Sequence, residues 1–201
     1  MIGLLWKDIL YLKKIWKVFL FLNLCFVAFG CLSYLKNKNF LDMSYIILIL
    51  GESFAMLAFE YDHNSKWKEY QYAFPVSKKT VVCSRYLFGF IIFGFYFFSS
   101  LVGILLSDVI TRESIGQEWI LTQIGIICFI PMMQAVAFPI LYYFGSKKGI
   151  LYSDTIFIVM MFYFGKNANM LDFHFTATKA VLLLLFYLCS LILSIKIEQR
   201  S

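Results

Sequence analysis

An all-α, polytopic membrane fold is predicted by three observations on this 201-residue sequence. Hydrophobic residues make up 61% of it, charged residues only 15%, and mean hydropathy is +0.77, far from the composition of soluble globular chains. The apolar residues gather into runs close to the roughly 20 residues that a helix needs to cross a hydrocarbon core of about 30 Å. Basic residues cluster mainly between these runs.

Residues 1–15 read as an interfacial helix. Leu5, Ile9, Leu12 and Trp16 recur at helical spacing, while Lys7, Lys14 and Lys17 gather on another side. The alternative is a simple extension of the first span. Charges at Lys7, Asp8, Lys13, Lys14 and Lys17 break the order of a secretory signal, so the segment is expected to stay in the mature chain. Residues 18–35 and 86–106 carry no charge, residues 43–59 only Glu52, and residues 119–146 none across 28 positions. Those are four spans. Residues 149–165, with Asp154, and 175–195, with Lys179, supply a fifth and a sixth. Pro131 and Pro139 predict a kink or break in the fourth. Gly89, Gly94 and Gly103 in the third suit close helix approach, read here as packing between two copies.

Orientation follows from the basic residues, because short cytoplasmic loops are rich in Lys and Arg. Six spans with an inside N-terminus place thirteen basic residues on one side and five on the other. Both termini are therefore expected in the cytoplasm of a multi-pass bacterial cell-membrane protein, with residues 1–201 forming one membrane domain. The net charge of +6 reads as topology and contact with anionic lipid, not as nucleic-acid binding.

Catalytic and metal motifs are missing from the sequence. Cys25, Cys31, Cys83, Cys128 and Cys189 are scattered without a CxxC pair, and His63 and His174 fall on opposite sides of the expected topology. The Gly-Ser-Lys-Lys-Gly run at 145–149 lacks phosphate-loop spacing, and no HExxH or GxSxG is present. An enzyme is not expected, and no cofactor or metal is expected to bind the chain directly.

Function is sought in the charged interruption between spans two and three, residues 61–80. From Glu60 at its edge, Asp62, Lys66, Lys68 and Glu69 interleave there with Tyr61, Trp67, Tyr70, Tyr72 and Phe74, a mixture of aromatic anchors and both charge signs that suits a protein contact. An interfacial loop with its aromatics at headgroup level is the alternative. Ser65 suits a helix cap, Pro75 closes the segment, and Ser77 suits the start of span three.

These residues resemble the membrane subunits of ABC-2 class ATP-binding-cassette exporters. The resemblance is carried by Leu4-Leu5-Trp6-Lys7-Asp8, by Glu60 and Asp62, by Lys66-Trp67 and Tyr70, by Phe74-Pro75-Val76-Ser77-Lys78, and by Val81, Arg85 and Tyr86. Phe74 stands where the family pattern has leucine and Lys78 where it has arginine. The resemblance implies a permease subunit without a nucleotide site of its own, pairing with an identical or paralogous permease subunit. Two cytoplasmic ATPase subunits, which carry ATP and Mg, would drive it. It also implies that residues 63–74 form a coupling helix, with Lys66, Trp67, Glu69, Tyr70, Phe74 and Pro75 as the ATPase contacts, and that residues 1–15 form the interfacial elbow helix.

Inside the bilayer, Glu52 is the conspicuous polar group, since an isolated carboxylate near mid-span costs at least about 2.5 kcal/mol unless it meets a cavity or a partner. It reads either as a pathway group or as a protonated acid bonded to a neighbouring helix, with Asn23, Gln123 and Gln134 as the other intramembrane polar candidates. Phe88, Phe90, Phe93, Phe95, Phe97 and Phe98, with Met132, Met133, Met160 and Met161, offer apolar, adaptable surface facing either lipid or an amphipathic cargo. Exporters of this kind handle antimicrobial or toxin-like peptides and drugs, so an amphipathic peptide is the expected substrate. Two alternatives stay open: a non-transport assembly or sensory partner that binds another cytoplasmic protein through residues 61–80, and a membrane enzyme built around Glu52.

Overall fold

Six α-helices make up most of the described part of the chain, and Trp67 and Tyr70 between the second and third are also helical. The computed structural model describes residues 2–37, 41–67, 70, 76–111, 128–166 and 177–200, though not every side chain within those helices. In chain order the helices are α1 (Ile2–Asn37), α2 (Leu41–Asn64), α3 (Lys78–Thr111), α4 (Phe129–Phe144), α5 (Ser146–Lys166) and α6 (Ala177–Arg200). The fold class is all-α, as expected. Among the described residues, Lys78–Ser99 and Thr178–Arg200 are long and apolar enough to cross a bilayer, and Phe129–Phe144 is a shorter apolar helix. Part of the expected fourth span, residues 119–127, lies outside the described residues, as do Cys31 by its side chain and His174 altogether.

The expected elbow is one end of a longer helix. No Gly or Pro occurs from Leu4 to Phe29, so nothing in the covalent chain interrupts the ladder where the elbow would turn into the span, and α1 runs unbroken over 36 residues. Its apolar stripe also has a different partner from the lipid interface. Leu5, Ile9, Leu12 and Ile15 pack against the protein core, while Trp16, expected on the same stripe, is half exposed.

Helix α1 packs most extensively on α3, and α4 on α6 and α5. Phe19 of α1 anchors the first pairing, its ring 4.5 Å from Phe54 edge-on and 4.8 Å and 5.6 Å from Phe95 and Tyr96. The span-three phenylalanines do not share one lining: Phe88 is buried in the core, whereas Phe90 and Phe98 are exposed. Met133 is likewise core.

Helix ends follow local chemistry. Ser77 caps α3, accepting from the Thr80 amide at 3.2 Å, as its position predicts. The hydroxyl of Ser65 reaches back to the Asp62 carbonyl at 3.4 Å and its amide donates to Tyr61 at 2.9 Å, closing α2; of the helix it was expected to open, Trp67 and Tyr70 are helical and the rest lies outside the described residues. Lys66 follows in the left-handed region, with φ of 53°. Helices α4 and α5 are separated only by Gly145, and Gly149 lies so close to α4 that a Cβ there would sit 2.8 Å from the Leu141 Cα.

Proline 139 lies inside α4, where it cannot donate to the carbonyl four residues earlier, that of Ala135. Ser190 of α6 donates to that carbonyl at 2.5 Å. With its one hydrogen used there, Ser190 accepts from the Tyr86 hydroxyl at 2.6 Å, which in turn accepts from Ser194 at 2.8 Å. The expected disruption of the fourth span is thus absorbed by hydroxyls borrowed from α3 and α6.

Candidate functional site

The end of the molecule where α2 finishes and α3 begins gathers four charges around the 61–80 loop. Asp8 lies on the buried stripe of α1, one turn from Leu5 and Leu12, so the packing that buries those residues also carries its carboxylate inward. Arg85, two turns into α3, meets it: Arg85 Nη1 lies 2.9 Å from Asp8 Oδ1, close enough for an ion pair although not aligned as a hydrogen bond. The other arm of the guanidinium bonds Asp62 Oδ2 in the last turn of α2. Lys7 Nζ then reaches Asp62 Oδ1 at 2.5 Å and Asp8 at 3.4 Å. Two acids and two bases close a neutral ring across three helices.

Burial decides how much this ring matters. The Asp8 and Arg85 side chains are only 3% and 5% exposed, so their charges hold each other in a low-dielectric site where neither is tolerable alone. Lys7 is less buried, and desolvation, followed by repulsion from Arg85, pushes its amine down to about 8 despite the attraction of Asp8. Aromatic faces complete the shell: Arg85 lies 5.2 Å over Phe59, and the Lys7 ammonium 4.7 Å over Trp67. Trp67 therefore ties the loop itself to the ring.

Beside the ring is a cavity of about 380 Å³, bordered by Phe59, Asp62, Trp67, Arg85, Tyr142 and Glu198. Glu198, near the end of α6, is buried. Through this cavity the ends of α2, α4 and α6 share one space with the loop.

The sequence-based site residues divide three ways. Lys66 and Trp67 border the cavity, and Tyr70 is 62% exposed. Glu69, Phe74, Pro75 and Gln123 lie outside the described residues; Glu52 lies on α2, its side chain also outside them. Asn23 and Gln134 are buried and take no part in the ring, each with amide atoms that find no hydrogen-bond partner among the described residues. Gln134 packs against Gly89, where a Cβ would come within 2.7 Å of its Oε1. The close approach expected of Gly89 between two copies is thus made inside one chain, and Gly94 has open space beside it.

Lys7, Asp8, Asp62 and Arg85 were legible as a pattern and not as a site. The separations between the Lys7-Asp8 pair, Asp62 and Arg85 exceed any helical spacing, and only the lone acid on the apolar stripe of α1 signalled a buried partner.

Residues 3–199 match the family model of the ABC-2 family transporter proteins. The chain belongs to the ABC-2 transporter family. The match covers every helix described above, so the ionic ring and the 61–80 loop are features of an ABC-2 transporter membrane protein. No curated protein and no solved structure matches the chain. An ABC-2 membrane component is by type a transport permease without catalytic machinery.

Proposed function

We propose that this ABC-2 chain is the membrane subunit of an ATP-driven exporter, and that the Lys7, Asp8, Asp62 and Arg85 ring transmits the motion of a cytoplasmic ATPase from the 61–80 loop to the spans. The carrying observation is that one buried guanidinium joins α1, the end of α2 and the start of α3, while Lys7 of the same ring lies over the loop's Trp67. A push on the loop then moves three helices together, because separating them would strand buried charge. In this reading six helices span the membrane with both termini in the cytoplasm, and two ATPase subunits carry ATP and Mg. A second permease subunit completes the pathway, and Lys66, Trp67, Glu69, Tyr70, Phe74 and Pro75 face the ATPase. Glu52, Asn23, Gln123 and Gln134 are the polar groups available along the spans, and the aromatic, methionine-rich composition favours an amphipathic peptide as cargo.

The test is co-expression of the tagged chain with the ATPase encoded nearest to it. Extraction in mild detergent should yield a complex with vanadate-sensitive ATP hydrolysis. Trp67→Ala with Glu69→Ala should weaken the complex or leave hydrolysis unresponsive to peptide. A well-folded chain that recruits no ATPase sinks the proposal and favours an assembly or sensory partner.

A further inference from the structure

The outward face of α1 carries charge at an unexpected depth. Asp8 meets Arg85 and Phe19 meets Tyr96, pairs of the same sequence offset, so α1 and α3 run parallel and in register over that length. Lys13, Lys14 and Lys17 therefore lie alongside residues 90–94 of α3, within its uncharged stretch of residues 86–106. All three lysines are exposed, and no ion pair among the described residues engages them. On the same arc of the helix, toward its C-terminal end, Leu20, Phe21 and Leu24 are exposed by 39%, 68% and 71%. Three cations at that depth demand an anion, and no ion pair among the described residues supplies one.

We infer that this face is a binding site for an anionic phospholipid, whose phosphate is held by Lys13, Lys14 and Lys17 and whose acyl chains lie along Leu20, Phe21 and Leu24. The inference rests on the membrane reading proposed above but not on the ATPase. Direction supports it: a lipid of the leaflet nearest the N-terminus has its headgroup below its tails, which is the order of basic and apolar residues on this arc. Lysine stems bend toward the interface while their ammonium groups stay with phosphate, so the depth is accommodated without moving the helix. A second copy meeting this face by two-fold symmetry would set like charges against each other. A soluble partner would not reach residues level with an apolar span.

The test uses the full chain in nanodiscs of phosphatidylcholine mixed with phosphatidylglycerol, followed by native mass spectrometry of the lipids that remain bound. Wild type should retain phosphatidylglycerol over phosphatidylcholine by roughly tenfold or more, at a contribution of about a few-fold per lysine. The Lys13→Gln, Lys14→Gln, Lys17→Gln triple variant should lose that preference, and the corresponding triple Arg variant should keep it. The lysines are exposed, so the glutamine variant is expected to fold, and the melting temperature of each variant checks this. Equal retention of the two lipids by wild type, or an undiminished preference in a folded glutamine variant, overturns the inference. So does loss of lipid on dimerisation, which would assign the face to a second copy.

Discussion

Arg85 and Tyr86 are neighbours in the chain and belong to two differently built regions. Arg85 turns toward α1 and α2, into a ring of full charges at the loop end. Tyr86 turns toward α4 and α6, into a neutral chain of hydroxyls that ends on the carbonyl released by Pro139. The difference follows from surroundings. At the end of the spans a charge can be retained if it is paired, whereas between the spans only groups that need no ionisation are cheap. The charged region joins helices all or none, because one lost partner strands the rest, while the hydroxyl region can exchange partners one bond at a time.

The largest break in this contrast should come from Arg85→Met. It leaves Asp8 buried without its guanidinium and should cost about 3–5 kcal/mol, read as loss of folded yield or a large drop in melting temperature in detergent. Adding Asp8→Asn should recover part of the loss, since the penalty lies in the stranded charge. If the double variant is no better than the single, the ring is not held together by mutual neutralisation.

Next in size, Ser190→Ala orphans the Ala135 carbonyl and should cost about 1–3 kcal/mol. In a Pro139→Ala background the helix can satisfy that carbonyl itself, so the same serine change should cost clearly less. A double-mutant cycle with no coupling between the two positions would contradict the link between proline and hydroxyl. Tyr86→Phe, which removes one member of the chain while leaving Ser190 on its carbonyl, should cost about 1 kcal/mol.

A smaller effect is expected at Lys7. With its amine at about 8, the residue is charged at neutral pH and neutral above, so raising pH through that value removes one cation from the ring and from the face of Trp67. The part of the tryptophan emission that Trp67→Phe eliminates should shift with a midpoint near pH 8, and Lys7→Met should abolish the shift. The smallest change is Lys66→Gly, which relieves a left-handed backbone at φ of 53° and should stabilise the chain by about 1 kcal/mol. A destabilisation there would mean that the Lys66 side chain holds the turn.

Legibility differed by element for physical reasons. Hydropathy placed the apolar helices, because burial in a bilayer leaves a long, strong compositional signal. Ser77 was readable as the start of α3 because capping acts over three residues. Ser65 was less legible because the same hydroxyl can close one helix or open another, and its bond to the Asp62 carbonyl ends α2. The helical stripe of residues 1–15 was correct as a pattern, but periodicity reveals that a face is covered and not what covers it.

By itself the sequence determined the helical membrane class, the family, and the charged, aromatic loop that interrupts the hydrophobicity. These rest on composition and short-range spacing, which the covalent chain carries directly. Only the tertiary structure decided that Asp8 and Asp62 share one arginine, that Ser190 satisfies the carbonyl freed by Pro139, and that three lysines of α1 stand beside an apolar stretch of α3. Each of those is a meeting of positions far apart in the chain, and their register is set by side chains packing between helices, about which local sequence is silent.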